Sequence, residues 1–141
     1  MLSFWSSLWA RPELLSPVCR YTVANGILYM VTGTAIYLAP HALLEVAFFT
    51  ELEPASAGFA NLLGMAVLFI GWFYVMGGRT GADSFALGTV VDRLLLPLIL
   101  IPIVASGTVP WVPLAVFAVL DPALALGALL IWRRSQAAVS A

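Results

Sequence analysis

The sequence predicts an all-α integral membrane protein, a four-helix bundle with a short N-terminal amphipathic helix lying in the interface. Three observations carry that prediction. The 141 residues are 62% hydrophobic and only 9% charged, whereas a soluble domain carries about 25% charged residues. Four stretches approach the roughly 20 apolar residues that a helix needs to cross a bilayer. The arginines gather at those ends of the stretches that four crossings place on one side.

The same composition narrows the function. Six basic residues, all arginine, against seven acidic ones give a net charge of -1, which is no electrostatic footprint for nucleic acid. Cys19 is the lone cysteine, so no intrachain disulfide and no thiol-based metal cluster is available. No metal and no cofactor are expected. The length leaves no room for a separate soluble domain, and residues 1–141 read as a single membrane domain.

Residues 2–10 place Leu2, Phe4, Trp5, Leu8 and Trp9 on one helical side, with Ser3, Ser6, Ser7 and Ala10 on the other. That pattern predicts an interfacial helix with two tryptophans at headgroup depth. A cleaved signal peptide needs a basic start, a continuous apolar core and a small-residue cleavage site, and the segment has none of these. Arg11-Pro12 ends it, and Ser16-Pro17 leads into the first span, with proline well placed at a helix start.

The first span is expected over residues 18–39, stopped by Pro40. Its small and polar residues recur helically as Thr22, Asn25/Gly26, Tyr29 and Thr32/Gly33. Such a stripe lets membrane helices approach closely and hydrogen-bond. Asn25 stands apart, because a carboxamide in hydrocarbon needs a partner.

Residues 41–49 are apolar but too short to span, and read as a second interfacial segment closed by a polar turn at residues 50–54. His41 and Glu45 are four apart and share a helix face. An imidazole beside a carboxylate suits an acid/base pair or two metal ligands, but a polar rim at the membrane edge explains both residues more simply, since a single helical pair is a weak motif.

The second span is expected over residues 58–76. Asn61, Gly64, Leu68, Gly71, Val75 and Gly78 trace one narrow seam, which close helix contact explains; a groove for a flat lipid or quinone is the functional alternative. Trp72, Phe73 and Tyr74 read as an interfacial aromatic belt. Residues 77–84 are expected to form a turn, with no strand before it and no Gly-Lys-Ser/Thr after it to make a phosphate loop. Asp83 or Ser84 is the expected cap of the third span.

The third span, residues 85–106, carries Asp92 and Arg93 well inside one end, then Pro97 and Pro102. The fourth, residues 111–132, carries Asp121-Pro122 near its middle, where proline removes a backbone donor and favours a kink. Arg11, Arg20, Arg79, Arg133 and Arg134 fall on one side, while Glu45, Glu51 and Glu53 fall on the other. The positive-inside rule then puts both termini in the cytoplasm of a bacterial inner (plasma) membrane.

Charges within a span are costly and mark function by default. Arg93 has two destinies: its long stem can snorkel to the headgroups, or the side chain can turn into the bundle. Asp121 lies near the midplane and leans away from Arg93, so a simple salt bridge between them is not expected. Tyr29, at similar depth, is the expected hydrogen-bond partner. An acid there can donate a hydrogen bond, carry a proton or tie two helices together.

The features Pro40-His41, Asn61-Leu62-Leu63-Gly64, Val91-Asp92-Arg93-Leu94 and Leu120-Asp121-Pro122 ahead of a short basic tail make the chain resemble the DoxX-like group of small four-helix bacterial membrane proteins. The likeness covers roughly residues 20–134 as an architecture. It implies association with membrane sulfur or quinone redox complexes, and it transfers no catalytic set onto these positions.

Three functions follow from these readings. The first is a non-enzymatic role, as accessory subunit of a membrane protein complex or as binder of a lipophilic small molecule such as quinone. Asn25, Tyr29, Asn61, Arg93 and Asp121 are its candidate ligand-binding residues. The second is a membrane-embedded enzyme doing acid/base or redox chemistry on a lipophilic substrate, isomerase-like, with Asp92, Asp121, His41 and Glu45 as catalytic candidates. The third, proton transport, has least in its favour, since no internal repeat relates the halves.

Overall fold

The computed structural model describes residues 14–45, 54–107 and 111–139, and every regular element among them is helical. Helix α1 runs Pro17–Leu38, α2 Pro54–Arg79, α3 Asp83–Ala105 and α4 Trp111–Val139, with a π-helical turn at His41–Glu45 between α1 and α2. The expected interfacial helix at 2–10 lies outside the described residues, as do residues 46–49 of the second interfacial segment.

Ser16 starts α1. Its hydroxyl accepts from the Cys19 N–H at 3.2 Å and Pro17 follows at the first helical position, so one orphan donor is satisfied where proline has none to lose. The same hydroxyl donates to Asp83 Oδ1 at 2.5 Å. Asp83 therefore does not cap its own helix, as the sequence suggested. Ala82 holds the cap position of α3 without a side-chain hydrogen bond, and the carboxylate instead ties the starts of α1 and α3 together.

Helices α1 and α2 pack antiparallel with their backbones in contact along the small-residue seams. A Cβ on Gly26 would lie 2.7 Å from the Gly71 carbonyl oxygen, and one on Gly71 would lie 2.6 Å from that of Gly26. Further along, Gly33 meets the backbone of Leu68 and Gly64, while Gly78 meets Cys19 and Val23. Without a Cβ at these positions the two backbones can approach this closely. Thr32, placed on the stripe by its spacing, is exposed.

Three boundaries differ from the sequence reading. Helix α2 begins at Pro54, four residues ahead of the expected start and inside the expected polar turn. Gly77, Gly78 and Arg79 belong to α2, and the turn is confined to Thr80 and Gly81, where Gly81 adopts φ 73°. Only a left-handed residue is needed to reverse the chain there, and glycine takes that region at no steric cost. Helix α4 runs past Arg133-Arg134 to Val139, because arginine is a good helix former and residues 135–138 hold no helix breaker.

One buried cluster joins Val18, Cys19, Ala86, Val90, Ala125 and Ala128. A second joins Tyr29, Val67 and Tyr74, with Phe85 and Leu124 against it. The outer surface is apolar: Phe59, Val119, Leu98 and Val31 are each more than 60% exposed. Among the described residues two helices are long and apolar enough to cross a membrane, over Ser56–Arg79 and Asp83–Ala105.

Candidate functional site

The second cluster is where the polar residues of four helices converge. Tyr29 of α1 sends its hydroxyl across to Asp121 of α4, donating to Oδ1. Tyr74 of α2 donates to Asp92 Oδ2 of α3 at 2.7 Å. The two phenol rings meet edge to face, centroids 5.6 Å apart and planes at 78°, the arrangement that opposes a ring's positive edge to its neighbour's negative face.

Arg93 lies against both rings. Its Cζ is 5.5 Å from the Tyr29 centroid and 4.7 Å from that of Tyr74, within reach of a cation–π attraction. The residue is 2% exposed, so it does not snorkel to an interface. Nε, Nη1 and Nη2 are all buried and make no hydrogen bond among the described residues. Neither acid meets the guanidinium directly, as expected for Asp121. Each carboxylate is reached by a phenol, and the phenol rings bound the cation.

Asn25 lies one turn before Tyr29 on the same buried face of α1, and its Nδ2 also has no partner among the described residues. The fully buried open groups at this level are therefore donors, which fits an acceptor oxygen supplied by something else. A shallow apolar groove adjoins Tyr29, lined also by Leu28, Thr32, Val67, Phe117 and Leu120. Tyr29 belongs to both groove and cluster.

The other sequence candidates lie elsewhere. His41 Nδ1 and Glu45 Oε1 pair at 2.8 Å on an exposed π turn, beyond the far end of α1 from Ser16. Asn61 precedes Gly64, which packs against Tyr37, so it sits toward that same end rather than at the level of Tyr29. Its Oδ1 is buried without a partner among the described residues. No group of three metal-ligating side chains occurs among the described residues.

Tyr74 is the residue that sequence reasoning placed wrongly. Grouped with Trp72 and Phe73, it read as an interfacial belt; in the fold those two are exposed, while Tyr74 is 7% exposed and central. The available signal was its spacing of three from Gly71 and four from Gly78, which puts it on the seam side of α2. The chain matches no family model, no curated protein and no solved structure.

Proposed function

We propose that the chain is a four-span protein of a bacterial inner membrane, with both termini cytoplasmic, that binds a lipophilic small molecule inside its helix bundle. A quinone is one such molecule. The observation that carries this reading is the buried Arg93 guanidinium, held against two tyrosine rings with all three nitrogens unbonded among the described residues. A guanidinium stays charged at any physiological pH, and an unsatisfied buried charge is costly. An acceptor oxygen on a ligand head would relieve it, with Asn25 as a second donor and the groove beside Tyr29 taking apolar atoms.

The bilayer reading is supported by the apolar exterior and by the low burial of the two crossing segments, 28% and 17% of their most apolar windows. A core helix of a soluble protein would be covered. The asymmetric distribution of arginines supports the orientation, and the DoxX-like resemblance agrees with the architecture. An enzymatic reading draws on one specific observation, the Tyr29–Asp121 bond, which sets an acid and a phenol beside the groove. Proton exchange with a bound lipophile is the chemistry that pair could perform.

Native mass spectrometry of the protein extracted from its own membrane, with Arg93→Lys and Asp121→Asn alongside, tests the binding. A stoichiometric lipophile present in the natural chain and lost in Arg93→Lys is the expected result. A protein that carries no small molecule but holds a stable subunit instead makes it an accessory subunit, with the buried polar cluster serving to join helices.

A further inference from the structure

The Arg93 cluster points inward; a second feature of α3 points outward. Ala86, Thr89, Val90 and Arg93 form its buried face. Gly88, Asp92, Leu95 and Ile99 follow one another at spacings of four, three and four, so they share a single stripe on the opposite side, and all four are exposed. Among the described residues nothing lies within 4 Å of a Cβ placed on Gly88. The stripe thus consists of a bare backbone step, a carboxylate and two branched apolar side chains.

Asp92 is nine residues into a helix that the bilayer reading places across the membrane, about 13 Å from its start at 1.5 Å per residue. Its side chain is too short to bring the carboxylate back to the headgroups. Tyr74 holds one oxygen at 2.7 Å and leaves the other open. Arg93, the next residue, is on the buried face and makes no hydrogen bond among the described residues. A half-satisfied carboxylate turned toward hydrocarbon is costly, and such residues in spans face protein or water instead.

We propose that this stripe docks a transmembrane helix of a different protein, one that carries a hydrogen-bond donor, basic or amide, near the middle of its span. Gly88 admits the partner's backbone closely, and Asp92 supplies the hydrogen bond that fixes register, the two ingredients of helix association in lipid. Charge selects against a second copy of this chain. A two-fold contact along the stripe would bring two Asp92 carboxylates together, and Arg20, the exposed cation of α1, sits only three residues from that helix's start. The inference rests on the bilayer reading but not on a bound small molecule.

The test reconstitutes the full chain in vesicles of phosphatidylethanolamine and phosphatidylglycerol. The probes are two dansylated Leu/Ala host helices of about 20 residues, one with a single central lysine and one without, read by energy transfer from the protein's tryptophans. The lysine helix is expected to associate roughly tenfold more strongly than its apolar twin, the range of one interhelical hydrogen bond. Asp92→Leu should erase that difference. Gly88→Leu should weaken both helices while leaving the internal packing untouched, which separates a lost docking face from a lost fold. Equal binding of the two helices, or indifference to both substitutions, overturns the proposal. So does an Asp92-dependent dimer of the natural chain, which assigns the stripe to a second copy. A natural chain washed out of membranes by alkaline carbonate removes the bilayer reading itself, and the stripe's docking role with it.

Discussion

The Tyr29 hydroxyl donates to the Asp121 carboxylate across 92 residues of sequence, joining the first helix to the last in a buried position. With Tyr74 and Asp92 making the same kind of bond between α2 and α3, each helix contributes one member of a hydrogen-bonded pair to a single layer. The four are linked in pairs, and Arg93 lies against the pair of rings.

Tyr29→Phe removes the donor and leaves Asp121 buried without its partner. A buried group so orphaned costs about 1–3 kcal/mol, and the loss should appear in unfolding by sodium dodecyl sulfate in mixed micelles. Asp121→Asn keeps an acceptor oxygen and should cost less. The double variant should cost less than the sum of the two, because the second substitution removes an interaction already broken. Strict additivity would mean that the bond contributes nothing.

Two glycines of the same chain should respond oppositely to one methyl group. A Cβ on Gly33 would enter the backbone of α2, where the Gly64 carbonyl oxygen stands 2.6 Å away and Leu68 N is closer still. Backbone cannot swing aside, so Gly33→Ala should destabilise by about 1–3 kcal/mol. Gly88→Ala meets nothing within 4 Å, and alanine's helix propensity should make it neutral or stabilising by up to about 1 kcal/mol. The same detergent titration measures both.

This contrast also marks what a reader of the sequence can see. The Gly26–Gly33 and Gly64–Gly71–Gly78 seams are periodic, and periodicity survives projection onto one dimension. The depth match between Tyr29 and Asp121 is legible for a similar reason, since rise per residue converts position into height. Azimuth between helices is not. Whether Arg93 turned inward depended on how α3 rotates against α1 and α2, and that is set by the packing of Ala86, Thr89 and Val90, of which only Thr89 is polar and its hydroxyl donates to the Ala86 carbonyl of its own helix. Tyr74 was hidden by its neighbours Trp72 and Phe73, because three consecutive aromatics look alike until the seam fixes which one faces in.

Ser16 serves two helices at once, so Ser16→Ala should cost more than an ordinary cap. Loss of a serine cap costs about 0.5–2 kcal/mol, and here Asp83 also loses the hydroxyl donated to it at 2.5 Å. Asp83→Asn retains an acceptor and should be milder. Hydrogen exchange of the first turn of α1 is the sensitive measurement: amides following Ser16 should exchange faster in Ser16→Ala than in Asp83→Asn. Equal protection in both variants would reduce the serine to a tie between helices with no capping role.

Arg93→Met distinguishes a residue kept for folding from one kept for a ligand. Methionine has a similar reach and fills the space beside the Tyr29 and Tyr74 rings with a polarisable thioether that also favours aromatic contact. It removes a charge whose three nitrogens find no hydrogen bond among the described residues, and replacing buried charge by packed apolar atoms is often neutral or stabilising by about 1–4 kcal/mol. In delipidated detergent solution the variant should therefore be at least as stable as the natural chain. In membrane extracts that retain native lipophiles the order should reverse, because a ligand that binds only the folded natural chain stabilises it by mass action, by about 2.7 kcal/mol at a hundredfold excess over its Kd. Thermal melts of the two proteins in the two media decide the matter. A variant less stable in both media makes the cation–π contacts the reason for the arginine; a variant at least as stable in both leaves the guanidinium with no ligand to meet.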